Sequence, residues 1–116
     1  GIAAQVVQAV LASERDTGTR VHRLRVDGGL TRSRLLMQTQ ADLLQAPVEV
    51  YASPDATALG VAALARMGAD PSLTLHDAVP PWTPAAVYEP AIGADHAAAR
   101  LELFATAVRR VAEVAP

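Results

Sequence analysis

The 116-residue sequence contains no cysteine and no lysine, and its aromatic residues are one tryptophan, two tyrosines and one phenylalanine. Without cysteine there is neither a disulfide framework nor a thiolate nucleophile, which fits a reducing cytoplasm. Without lysine there is no Walker-type loop, whose glycine run must end in Lys-Ser or Lys-Thr to hold phosphate. Aromatics at 3% do not build the stacking platform that single-stranded nucleic acid needs. A net charge of −2 and a pI near 5.9 leave no basic footprint for DNA or an anionic membrane. The longest uncharged apolar run, Ala56 to Ala65, is too short to span a bilayer. His22, His76 and His96 lie far apart, none with a partner at helical spacing, so no metal site is expected. No Ser-His-Asp set or nucleophile elbow is present in local order.

What is present is a core-forming composition, 51% hydrophobic and 19% charged, at a length suited to one small domain. The first residue is Gly1, and apolar helical spacing is already running at Ile2, Val6 and Val10. The expectation is a chain cut inside a larger protein. Residues 2–16 read as a helix with Ile2, Val6, Val7, Val10 and Leu11 on one face, stopped by Gly18. Residues 21–26 read as a strand with His22, Leu24 and Val26 on one side. After Gly28-Gly29 a second helix runs from Thr31 or Arg32 to Leu44, with Leu36, Met37, Ala41, Leu43 and Leu44 apolar. Pro47 stops it, and residues 48–51 form a second strand; strand, helix, strand implies a right-handed crossover and a parallel pair. Ser53-Pro54-Asp55 is a good opening for a third helix, with a capping hydroxyl and a proline at the first helical position, and Gly68 ends it. Residues 69–92 form a proline-punctuated arm with one helical turn near 73–78 and Trp82 as a packing anchor. Residues 93–116 hold the terminal helix, from Asp95 to Val114, striped by Leu101, Phe104, Ala105, Val108, Val111 and Ala112.

The chemistry concentrates where the first strand meets the second helix. Two glycines without Cβ atoms let a ligand approach the backbone, and free N–H groups at a helix start favour phosphate or sugar oxygens. Asp-Gly-Gly is also a good hairpin turn, and many such corners carry glycine merely to turn. Arg20, Arg23, Arg25, Arg32 and Arg34 gather around the corner and read as a solvated rim rather than a phosphate cluster. Asp42, Glu49 and Asp55 are general bases on paper, but each has a plainer role. Asp42 faces solvent, Glu49 points outward from a short strand, and Asp55 supports a helix start. Local residues therefore support a nucleotide-contacting corner and nothing further.

Four blocks, in order, add to this: Gly1-Ile2-Ala3-Ala4-Gln5-Val6, Leu24-Arg25-Val26-Asp27-Gly28-Gly29, Leu36-Met37-Gln38-Thr39-Gln40-Ala41-Asp42-Leu43-Leu44, and Ala58-Leu59-Gly60-Val61-Ala62. The set resembles the C-terminal part of the FGGY family of carbohydrate kinases, and within it the glycerol kinase branch most. The resemblance implies an α/β fold, part of an actin-like, ribonuclease-H-like ATPase domain. It has a β-α-β core with flanking helices and lacks the domain's N-terminal strands. Residues 1–116 would be the C-terminal portion of the second, nucleotide-side domain.

The family phosphorylates a sugar or polyol hydroxyl from MgATP, so ATP and Mg²⁺ are the implied cofactors. Gly28 and Gly29 would meet the nucleotide with their backbone, Leu30 would lie beside it, and Asp27 would brace the turn. Ser33 stands where glycerol kinases usually carry a nucleotide-contacting asparagine, and Arg34 where a second asparagine is common. The family's catalytic aspartate and phosphate loops belong to earlier sequence, so no catalytic residue and no metal ligand is assigned here.

The expected function is the nucleotide-binding segment of a cytoplasmic kinase converting glycerol and ATP to glycerol 3-phosphate, silent as an isolated piece. Its partners would be the nucleotide, the polyol or sugar and the rest of the kinase chain, with no nucleic acid or membrane. Two parallel strands are too few for a stable sheet, so the piece should pack on that remainder or on a second copy as a homo-oligomer. The alternatives are a pentulose or hexulose kinase of the same family, a non-catalytic actin-fold nucleotide-binding module, and an α/β domain whose corner only turns the chain.

Overall fold

The computed structural model of the chain describes residues 1–53 and 55–114; Pro54, expected at the first helical position, lies outside the described residues. Helix α1 spans Ile2–Thr17 and ends on Gly18, whose left-handed φ of 65° is the conformation glycine reaches without a Cβ clash. Its buried face is Ala3, Ala4 and Val7 rather than the larger residues of the stripe, and Ile2 stays 52% exposed. The two alanines let α2 approach closely, with Leu43 of that helix completing the cluster.

Strand β1 is Leu24–Val26, shorter than the expected 21–26. Its partner, β2 (Val48–Tyr51), starts opposite Leu24, so earlier residues have nothing to pair with and His22 lies exposed ahead of the strand. The two strands run parallel, as the connection requires. Between them the second helix begins later than its apolar pattern suggests. A single 3₁₀ turn, Gly29–Arg32, intervenes, and α2 (Arg34–Leu44) starts behind Ser33. Gln45 ends α2 at a φ of 56°, unusual for a residue with a side chain. Its amide nitrogen donates to the carbonyls of Asp42 at 2.6 Å and Ile92 at 3.0 Å, which offsets the strain.

Helix α3 (Ala56–Ala69) runs through Gly68 instead of stopping there, and Asp70 closes it. Asp55 is its N-cap, without a side-chain cap bond; the Ser53 hydroxyl accepts from the Asp55 backbone N–H at 3.2 Å. Within the arm, α4 (Leu75–Ala78) forms behind a capping box in which the Thr74 hydroxyl and the Asp77 carboxylate each serve the other's backbone N–H.

A third strand forms inside the proline-punctuated arm, where the sequence pattern gives no strand. β3, Pro84–Tyr88, pairs antiparallel with β2, giving the order β1-β2-β3. Pro84 argued against it, yet proline is tolerated as the first residue of an edge strand, where its missing N–H costs nothing. The premise of a two-stranded sheet is thereby corrected. Leu24, Val26, Val48, Val50 and Tyr88 face Met37 and Ala41 of α2 as one core layer. The alternate residues Arg25, Glu49 and Tyr51 face the other way.

Helix α5 (Ala94–Val114) returns to α2 through Leu101 and Phe104. Beyond Ala105 its stripe is uncovered, with Val108 48% and Val111 72% exposed. Among the described residues, no helix is long and apolar enough to cross a membrane.

Candidate functional site

The corner after β1 is open. Gly28 has φ 92° and ψ −179°, a region only glycine occupies readily, and Gly29 begins the 3₁₀ turn with an ordinary φ. A Cβ placed on either glycine would meet no atom within 4 Å. Leu30 next to them is 62% exposed. The glycines are thus neither packing devices nor smothered; the backbone here faces free space.

Asp27, expected to brace the turn, is exposed and has no side-chain hydrogen bond among the described residues. Thr31 does the bracing. Its hydroxyl donates to the Gly28 carbonyl at 2.7 Å and its N–H donates to the same oxygen at 3.2 Å. Ser33 caps α2, its hydroxyl oxygen accepting from the Leu36 N–H at 3.3 Å. A serine hydroxyl keeps its own proton while accepting, so the capping role leaves Ser33 a donor for a ligand. The expected residues do not share one cavity. Asp27 lines a cavity of 260 Å³ with Arg25, Tyr51, Leu59 and Trp82, between the sheet, α3 and the arm. Ser33 lines a groove of 350 Å³ floored by Leu36 and Leu43 and walled by the start of α1 and Phe104 of α5. Gly28, Gly29 and Leu30 line neither.

Both carboxylates expected to face solvent are instead buried and occupied. Asp42 is 7% exposed and accepts from the Gln38 amide at 2.9 Å and the Ala91 N–H at 2.7 Å, tying α2 to the chain after β3. Glu49 is 8% exposed because the arm folds over that sheet face. It accepts from Arg23 Nη1 at 3.0 Å, Arg25 Nε at 3.2 Å and the Trp82 indole at 2.7 Å. Burial pushes its carboxyl pKa up, but the Trp82 and Arg25 hydrogen bonds and the two guanidinium charges outweigh that and leave it lowered. Neither group is free to serve as a base. Arg23 and Arg25 are likewise committed to Glu49, while Arg20, Arg32 and Arg34 are exposed, as a solvated rim requires.

Trp82 proves to be more than a packing anchor. Its ring stacks on Tyr51, with centroids 5.0 Å apart and planes 15° from parallel, and the Arg25 guanidinium carbon lies 4.5 Å from its centroid. The Arg23-x-Arg25 spacing before Asp-Gly-Gly, with a charged residue in the facing strand, was the available signal. Nothing in the sequence pointed from residue 82 to residue 49. Among the described residues, no cluster of three or more His, Asp or Glu has the arrangement of a metal site.

The family model described as "FGGY family of carbohydrate kinases, C-terminal domain" matches residues 1–69. A glycerol kinase from Bordetella parapertussis is 39% identical over 107 residues, covering 92% of this chain and 21% of that protein. A glycerol kinase from Alkalilimnicola ehrlichii is 53% identical over 64 residues, covering 55% of this chain and 13% of that protein. Among solved structures, Plasmodium falciparum glycerol kinase with ADP superimposes with a TM-score of 0.76 at 27% identity, covering 95% of this chain and 22% of that one. Xylulose kinase from Rhodospirillum rubrum gives 0.70, also at 27% identity with 95% and 22% coverage. The chain therefore spans about a fifth of the length of the full-size relatives it matches along most of its length.

Proposed function

Since the chain belongs to the FGGY family of carbohydrate kinases and has the α/β fold of its actin-like ATPase relatives, we propose that residues 1–116 are the nucleotide-side portion of the second domain of an ATP-dependent carbohydrate kinase. Glycerol is the preferred substrate, MgATP the phosphoryl donor, and the cytoplasm the place of work. The observation that carries this reading is the Gly28-Gly29 corner, held open at the end of a strand with nothing within 4 Å of where side chains would be. In open α/β sheets ligands sit beyond the carboxyl ends of parallel strands, which is where this corner lies. A nucleotide rests its sugar and phosphate against the two glycine backbones, with Leu30 beside it and the Ser33 hydroxyl donating.

Phosphoryl transfer needs a positioned hydroxyl, Mg²⁺ and charge stabilisation around the moving phosphoryl group. This chain supplies positioning alone: Asp42 and Glu49 are spent on structural bonds, and Arg23 and Arg25 on Glu49. It is catalytically silent by itself. The remainder of the kinase covers the apolar side chains left bare, among them Val61 and Leu64 of α3 at 63% each. The elongation of the chain supports this, since its radius of gyration of 17.7 Å exceeds the ~13 Å of a compact chain of this size.

The test is a titration with ADP of the whole kinase, isotopically labelled in these 116 residues, followed by amide resonances. The expected result is saturable binding that shifts Gly28 to Ser33 first. ADP that leaves those resonances unmoved refutes the assignment. Likeness to a xylulose kinase structure sustains a second reading, a pentulose kinase. Comparing glycerol with xylulose as acceptor for the whole enzyme decides between them.

A further inference from the structure

Resting on the nucleotide reading above, we propose that Trp82 is a positioning residue for the Gly28-Gly29 corner, acting from the proline arm through Glu49 and Arg25. Trp82 is the sole tryptophan of the chain. It lies ahead of β3, in a part of the arm without regular structure. Its indole N–H and Arg25 Nε both donate to Glu49 Oε2, at 2.7 and 3.2 Å, and Arg23 takes the other carboxylate oxygen at 3.0 Å. One carboxylate on β2 thereby gathers β1, the approach to β1 and the arm. The Arg25 guanidinium is held in place by this bond and by the indole ring 4.5 Å away.

The corner is short of other restraints. β1 has three residues and, among the described residues, pairs with β2 alone. Two glycines follow it, the first at φ 92°, and such a joint swivels unless both ends are fixed. Thr31 fixes the downstream end by its two bonds to the Gly28 carbonyl. Upstream, Arg25 is the central residue of the strand, two before Asp27, and its side chain is the one anchored to the arm. Trp82 and Thr31 thus hold opposite ends of the surface on which the nucleotide rests. A preorganised wall binds more tightly because less motion is lost on contact. Arg25 also lines, with Asp27 and Trp82, the 260 Å³ cavity beside the corner, so the indole sits where a change at the corner alters its surroundings.

Trp82→Phe keeps a six-membered ring for Tyr51 and Arg25 and removes the indole N–H together with the five-membered part of the ring system. In the ADP titration it should weaken binding about fivefold, equivalent to ~1 kcal/mol, and move the ligand-free Gly28 and Gly29 amide resonances. Glu49→Gln should do the same, and the double variant no more than either alone, since both act on one link. A merely structural tryptophan would lower the melting temperature without that non-additivity or those shifts. Arg25→Lys, which gives up the flat guanidinium, carries the same expectation should Trp82→Phe fail to fold. If the wild-type kinase binds ADP and both variants bind it equally well, the proposal is overturned while the nucleotide reading stands. If the wild-type kinase leaves Gly28 to Ser33 unmoved by ADP, the nucleotide reading falls and this proposal with it.

Discussion

Replacing Gly29 with alanine separates what the corner does for folding from what it does for a ligand. Gly29 has an ordinary φ and no atom within 4 Å of an added Cβ, so alanine fits without strain. The unfolded chain loses freedom, and the variant should be as stable as the parent or up to ~1 kcal/mol more stable. Gly28→Ala is the matched control. It too has room for the Cβ, but at φ 92° and ψ −179° the backbone itself is unfavourable for alanine. That should cost about 1–3 kcal/mol, or roughly 4–15 °C in melting temperature for a domain of this size. Urea and thermal unfolding of both variants measure the folding side, and the ADP titration measures the other. The added methyl of Gly29→Ala occupies the space proposed for the nucleotide, so affinity should fall at least about tenfold, ~1.4 kcal/mol. Wild-type ADP affinity in a Gly29→Ala chain would refute the claim that the backbone is the contact surface. A large loss of stability in Gly29→Ala would refute the conformational assignment instead.

Three further outcomes follow from the buried polar groups. The Glu49 carboxyl titrates below its ordinary 4.5, so its contribution is complete above that pH and is lost as pH falls through the lowered value. Glu49→Gln should therefore destabilise at neutral pH, begin to approach the parent only below about pH 4.5, and converge with it once pH has fallen past the lowered value, read by melting curves at stepped pH. Asp42→Ala removes the acceptor for the Ala91 N–H and the Gln38 amide and should cost about 1–3 kcal/mol in urea unfolding. Gln40 has a buried Oε1 with no hydrogen-bond partner among the described residues. Gln40→Leu should raise stability by about 1 kcal/mol, and a drop in melting temperature would show that the oxygen has a partner.

Local signals in the sequence carried most of the elements. Gly18 marked the end of α1, the strand-helix-strand order gave the parallel pair, and Asp27-Gly28-Gly29 located the corner, because caps and glycine-dependent turns are short-range effects. Boundaries slipped where a neighbour chose between near-equal options. α2 began at Ser33's cap because the glycine corner first spends one turn as a 3₁₀ helix. β3 was hidden behind Pro84, which reads as a breaker until an edge position removes its cost.

The larger misreadings concern Asp42 and Glu49. By pattern alone a carboxylate on a helix side or an alternating strand position belongs in water. What reversed this was the path of the arm, which laid Ala91 against Asp42 and Trp82 against Glu49 from 49 and 33 residues away. By itself the sequence determined the family, the α/β order of elements and the bare two-glycine corner, since each is written in neighbouring residues. Only the tertiary structure decided which carboxylates are buried, which arginines are spoken for, and that the tryptophan reaches back to the strand before the corner. Those outcomes depend on chain segments meeting across dozens of residues, and no local pattern encodes such a meeting.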